Sequence, residues 1–186
     1  MNILFVCTGN TCRSPMAQAI FQHKTKHHVQ SAGIFAGEGM PASMGTTEVL
    51  KQQGISSDHK SQPVTDDLMK WADLIITMTK NHRDLLKQSY PADADKIYTL
   101  KEYADPQYEH AWNKLKESYA HLEEAKLAGS EVDANLTDQI NQLEKTVQNV
   151  DIIDPFGGNY MTYQKTYQEL DIYLALLVKK IENKDR

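Results

Sequence analysis

The segment Cys7-Thr8-Gly9-Asn10-Thr11-Cys12-Arg13-Ser14 places a thiol, an arginine and turn-forming residues within one short stretch. Gly9 and Asn10 are residue types that tolerate positive φ, so the loop can curl its amides inward as an anion nest. Arg13 adds a planar fork of donors that matches phosphate oxygens. A cation and a helix amino terminus both favour thiolate over thiol, which would make Cys7 a nucleophile for in-line attack on phosphorus. A lone cysteine closing a buried strand is ordinarily an inert small hydrophobe. Here Cys7, Gly9, Arg13 and the Ser14-Pro15 pair occur together and point to chemistry. No G-K-[ST] follows, which disfavours a nucleotide-binding phosphate loop. The two cysteines have no histidine cluster beside them, which disfavours a metal site. Neither a metal nor a cofactor is expected.

Phosphoryl transfer through a thiol also needs an acid for the leaving group and a base for the water that clears the phosphocysteine. One carboxylate can serve both steps. Asp154, in Asp154-Pro155-Phe156-Gly157-Gly158, is the candidate, because a glycine-rich turn after apolar residues can hold a side chain over a pocket. Asp105-Pro106 is the rival, and it reads as the cap and first residue of a helix.

The elements that must carry these groups follow from periodicity. NILFVC (2–7) reads as a buried strand, and Ser14-Pro15 reads as an N-cap with proline at the first helical position. Further strands are expected at 29–34, 72–78 and 96–100, with helices over Ser43 to Gln53 and Asn81 to Lys87. Tyr163, Tyr167, Leu170, Leu174, Leu177 and Ile181 trace the core stripe of a last helix. Strands alternating with helices predict an α/β fold, a single doubly wound domain whose four-stranded parallel sheet is flanked by helices.

The chain has 186 residues, with 25 acids against 20 Lys and Arg, for a formal charge of −5. Residues 105–150 hold nine acids and four bases and so account for the whole excess, while the remainder is balanced. Neither part offers the basic patch that nucleic acid requires. No apolar run is long enough to span a membrane, and the amino terminus lacks the features of a signal peptide. Cys7 and Cys12 are too close to staple a secreted scaffold. A cytoplasmic protein is expected.

The acidic stretch has its own period. Trp112, Leu115, Tyr119 and Leu122, then Leu136, Ile140, Leu143, Val147 and Val150, follow heptad spacing. A glycine between the two runs, and then Asn135 or Thr137 as a cap, allow an α-helical hairpin over 105–149, inserted in a domain formed by 1–104 and 150–186. The hairpin is either self-packed decoration or an arm for a protein partner.

VCTGNTCRSPMA, the SAG at 31–33, ADLIITMT and the late DPFGG together resemble the low-molecular-weight protein tyrosine phosphatase family, across nearly everything except about 105–149. That resemblance implies Cys7 as nucleophile and Asp154 as general acid and base. Arg13 and the loop residues Thr8, Gly9, Asn10, Thr11 and Cys12 would hold a phosphate or other oxyanion, with Phe156 beside the acid. Ser14 would hydrogen-bond the thiolate, while Asn10, Ser31 and His59 would support the loop. For His59 a plain surface role is the alternative. Phosphorylated proteins are the implied substrates.

Within the family the sequence most resembles bacterial protein arginine phosphatases, because Thr11 replaces a bulkier aliphatic residue and DPFGG replaces a more aromatic stretch. A guanidinium needs polar partners in its plane, whereas a phenyl ring prefers an apolar slot. The alternatives are a phosphotyrosine phosphatase and a phospho-binding interaction module using the hairpin. The resemblance also implies that Cys12 can trap oxidised Cys7 as a reversible disulfide. Related arsenate reductases need further cysteines, which this chain lacks.

Overall fold

A computed structural model describes residues 1–184 and divides them into two compact units, one of Met1–Ala104 with the segment from Asp151 onward, the other Asp105–Val150. In the first unit, β1 (Asn2–Cys7), β2 (His28–Gly33), β3 (Leu74–Thr77) and β4 (Ile97–Thr99) form one parallel sheet in the order β2-β1-β3-β4. The last three strands are shorter than or offset from the expected spans, because pairing fixes them: β4 meets β3 only over Ile75–Thr77.

Alternation along β1 supplies both cores. Ile3, Phe5 and Cys7 face a cluster with Met16, Ile20, Leu50, Leu170 and Leu174, and Leu4 and Val6 face one with Leu68, Met69, Ile75, Leu86 and Ile97. The first cluster is built by α1 (Arg13–Lys24), α2 (Met44–Gln52), α5 (Leu100–Ala104) and α8 (Tyr160–Lys184), the second by α3 (Asp66–Trp71) and α4 (Lys80–Ser89). The doubly wound α/β architecture is therefore present. Because β2 and β3 flank β1 on opposite sides, the chain reverses direction of winding at the carboxyl end of β1. In open α/β sheets that switch point is where ligands bind, and Cys7 lies there.

Several local expectations change. Ser14 is not the cap of α1; Cys12 holds that position without a side-chain capping bond, and the Ser14 hydroxyl lies against the Cys7 sulfur and the Ala32 carbonyl instead. Helix α3 was not foreseen, although Thr65 caps it by accepting from the Leu68 N–H. Short α5 and a 3-10 turn at Pro91–Lys96 are likewise additional to the expected elements. In α8 the buried stripe uses Thr166 where Tyr167 was expected, since the Thr166 hydroxyl can satisfy itself on the Ile153 and Thr162 carbonyls.

The second unit consists of α6 (Pro106–Leu127) and α7 (Ala134–Gln148), which pack on each other. Asp105 caps α6 with Pro106 at its first position. Asp133, rather than Asn135 or Thr137, caps α7, because its carboxylate accepts from the Asn135 N–H at 3.0 Å. In the α6 seam Leu115 is buried as expected, but its neighbours shift by one residue: Ala111 and Ser118 are buried, whereas Trp112 is 46% and Tyr119 39% exposed. The Ser118 hydroxyl donates to the Lys114 carbonyl and Tyr119 hydrogen-bonds Glu144, so the smaller residues occupy the buried face and the aromatics its edge. Among the described residues no helix is long and apolar enough to cross a membrane.

Candidate active site

The loop that follows β1 turns at Asn10, where φ is +54°. That is the left-handed region, which asparagine tolerates better than most residues. Gly9 does not share it, so of the two residues expected to bend the loop only Asn10 does so through positive φ. The strained residue is over-determined by its neighbours. Asn10 is fully buried, its Nδ2 donates to Ser14 Oγ at 2.8 Å and Ser31 Oγ at 2.9 Å, and its Oδ1 accepts from the Gln62 N–H. Its carbonyl accepts from His59 Nε2 at 2.7 Å, which gives His59 a loop contact in place of a bare surface position. Burial lowers the His59 pKa more than this bond raises it.

Close approach also demands Gly33, at the end of the SAG sequence. A Cβ there would fall 2.5 Å from the Thr8 carbonyl and 2.9 Å from the Asn10 nitrogen, so any side chain would displace the loop.

A cavity of about 250 Å³ opens inside this loop, lined by Cys7, Thr8, Gly9, Thr11, Cys12, Arg13, Asp154 and Phe156. The structure thus gathers the acid from the far end of the chain beside the thiol loop, while Asn10, Ser14, Ser31 and His59 support the loop from outside the lining. Cys7 Sγ lies 2.9 Å from Ser14 Oγ, which can donate to a thiolate. Cys12 is a buried free thiol 3.4 Å from Ser43 Oγ and 3.6 Å from the Tyr163 hydroxyl, a phenol whose pKa burial raises. The Tyr163 ring packs where a Cβ on Gly45 would intrude at 2.5 Å.

Residues 151–154 are tied down group by group. The Asp151 carbonyl accepts from Lys101 Nζ, and its carboxylate accepts from the Lys80 N–H. Ile152 donates to the Met78 carbonyl and accepts from Arg13, and Ile153 donates to Glu169 while accepting from Thr166. Asp154 Oδ2 accepts from Arg13 Nη2 at 3.0 Å and Oδ1 from the Phe156 N–H at 3.1 Å. Arg13 is buried, whereas the Asp154 side chain is 54% exposed and Phe156 79% exposed. The carboxylate therefore remains open to a ligand.

Sequence reasoning missed three contributors. Buried Lys101 and partly buried Glu169 form an ion pair at 2.6 Å behind the acid segment, and nothing in TLKEY or YQELD marks them out. His82 Nε2 lies 2.8 Å from Thr8 Oγ1. Burial and the charge of Arg13 lower the His82 pKa to about 4 against the opposing pull of Asp151 and Asp154. No cluster of three or more metal-ligating side chains occurs among the described residues.

Comparison with known proteins follows the same lines. A Bacillus subtilis protein-arginine-phosphatase is 33% identical, with the alignment covering 100% of this chain and 99% of the relative. The solved YwlE arginine phosphatase from Geobacillus stearothermophilus superposes with a TM-score of 0.73 at 32% identity, covering 98% of this chain and 94% of that one. A solved low molecular weight protein tyrosine phosphatase from T. tengcongensis gives 0.71 at 35% identity, covering 97% and 99%. The profile of the low molecular weight phosphotyrosine protein phosphatases matches residues 2–150. With relatives along its full length and that profile across the nucleophile loop and the sheet, the chain belongs to the low molecular weight phosphotyrosine protein phosphatase family.

Proposed function

We propose that this enzyme hydrolyses phosphoarginine in proteins through a phosphocysteine intermediate. The Cys7 thiolate attacks phosphorus, and the phosphorus–nitrogen bond breaks as Asp154 gives its proton to the departing guanidine nitrogen. Water then attacks the phosphocysteine, Asp154 takes the proton back, and inorganic phosphate and the thiolate are released. Arg13 and the loop, at the amino terminus of α1, stabilise the anionic phosphoryl group throughout. The same loop would hold free phosphate or another oxyanion.

The observation that carries the arginine reading is Thr11 on the wall of the same cavity as Asp154. Thr11 and the open Asp154 carboxylate give a guanidinium polar partners, where a bulkier aliphatic residue in place of Thr11 would favour a phenyl ring. That the Bacillus subtilis and Geobacillus relatives are named arginine phosphatases supports it. Similarity to the T. tengcongensis tyrosine phosphatase supports the second reading, phosphotyrosine hydrolysis on the same machinery.

Phosphoarginine and phosphotyrosine peptides, hydrolysed by wild type and Thr11→Ile, separate the two. Wild type should prefer phosphoarginine, and isoleucine should move the preference towards phosphotyrosine. A wild type that favours phosphotyrosine would replace the first reading with the second, and an unchanged ratio would remove Thr11 from the argument. The exposed Trp112 supports the hairpin as an arm for a protein partner. We also assign to Cys12 the capture of oxidised Cys7, a bond that mass spectrometry after peroxide treatment would detect.

A further inference from the structure

Thr8 lines the cavity and His82 does not, yet α4 brings the His82 ring to 2.8 Å from the Thr8 hydroxyl. His82 is only 5% exposed, and its Nδ1 is buried without a hydrogen-bond partner among the described residues. A neutral imidazole carries one proton, on either nitrogen. A proton on Nδ1 would bury an unanswered N–H, and orphaned donors are rarer in folded proteins than under-used acceptors. The proton therefore belongs on Nε2, which donates to Thr8 Oγ1. Burial beside Arg13 keeps the ring from taking a second proton until about pH 4, although Asp151 and Asp154 pull the other way.

The direction of this bond matters at the cavity. A hydroxyl that accepts from His82 keeps its own proton free to donate. The opposite tautomer would spend that proton on Nδ1's ring partner Nε2 and turn an oxygen lone pair towards an incoming anion. We propose that His82 is a positioning residue: by donating to Thr8 Oγ1 it directs the Thr8 hydroxyl proton to a phosphoryl oxygen in the cavity. This rests on the phosphatase reading of the site and holds for either substrate class, because it concerns the phosphoryl group alone.

Nitrogen-15 NMR of histidine-labelled protein at about neutral pH should show His82 protonated on Nε2 alone. Protonation on Nδ1 would overturn the proposal without any substitution. In kinetics, His82→Leu and Thr8→Val should each lower kcat/KM for para-nitrophenyl phosphate, and weaken inhibition by inorganic phosphate, by about tenfold, the size of one hydrogen bond to a charged group. The double variant should lose no more than either single one. His82→Gln, whose amide nitrogen can reach the place of Nε2, should recover most of the loss.

Additive losses, unchanged phosphate inhibition in Thr8→Val, or a correctly folded His82→Gln as impaired as His82→Leu would each refute the relay. Wild type inert towards every phosphorylated substrate would instead sink the phosphatase reading, while the tautomer and the inorganic phosphate titration would still decide the role of His82.

Discussion

Arg13 Nη2 donates to Asp154 Oδ2 at 3.0 Å, joining positions 141 residues apart at the mouth of one cavity. The pair sets a buried cation against a half-exposed carboxylate, so a bound phosphoryl group meets both signs of charge.

Replacing Asp154 by Asn keeps the shape and removes the charge. Turnover of phosphoarginine should fall by about 10²- to 10⁴-fold, the usual range for loss of a general acid and base. Inhibition by inorganic phosphate should become several-fold tighter, because the carboxylate no longer repels the anion. Stability should change by less than about 1 kcal/mol, since the carboxylate is half in water. Turnover within about threefold of wild type would remove Asp154 from the mechanism.

The segment that carries Asp154 depends on a pair at its back. Lys101 reaches the Asp151 carbonyl and Glu169 at 2.6 Å, and Glu169 also accepts from the Ile153 N–H. Lys101→Met would leave that carboxylate with one partner fewer in a largely dry setting, which should destabilise the fold by about 3 kcal/mol in urea melts. The acid segment would loosen, so kcat should fall more than KM rises. Adding Glu169→Gln removes the orphaned charge and should recover part of the stability but little of the turnover. Equal recovery of both would mean the pair does not position the acid.

Asn10 separates strain from bonding. Its φ of +54° suits glycine, whereas its side chain makes three hydrogen bonds. Asn10→Gly relieves the backbone and loses the bonds; Asn10→Ala loses the bonds and keeps the strain. Both should destabilise, the alanine variant by about 1 kcal/mol more, the typical penalty for a left-handed residue with a Cβ. Activity should fall in both, because Ser14 and Ser31 lose a common donor. Identical melting temperatures would show that the loop relaxes out of its left-handed turn.

Much of this site can be read from sequence because its chemistry is concentrated. Cys7, Arg13 and Ser14 share one loop, and Asp154 stands in a recognisable turn. The continuous apolar run of NILFVC and the leucine stripe of α8 reflect burial directly, so the first strand and the covering helix are legible. What failed was of three kinds. Local rules gave way where a side chain had a better tertiary partner, as when Ser14, a good cap by type, spends its hydroxyl on Cys7 Sγ. Residues with no local signature acquire a role only through folding: Lys101, Glu169 and His82 are polar helix residues of types that ordinarily face water. The α6 seam was misplaced for a third reason, since Trp112 and Tyr119 count as hydrophobic in a pattern while Ala111 and Ser118, being small, take the buried face.

Acid should weaken the protein through its histidines. An unfolded His82 takes up a proton near pH 6.5, whereas the folded residue does so only near about 4, because burial and Arg13 oppose the charge. Burial lowers His59 in the same direction. Across that window the unfolded state binds more protons, so stability is fully present above about pH 6.5 and is lost as the pH falls towards about 4. Solvent screening at the incompletely buried ring holds the His82 contribution to about 2 kcal/mol. Urea unfolding of wild type and His82→Gln over this range isolates it from the carboxylates, which titrate in both proteins. The wild-type curve should fall more steeply with acid, so that the two stabilities converge at the low end. Parallel curves would mean that His82 is already charged in the folded protein, and with it would go the neutral ring that orients Thr8.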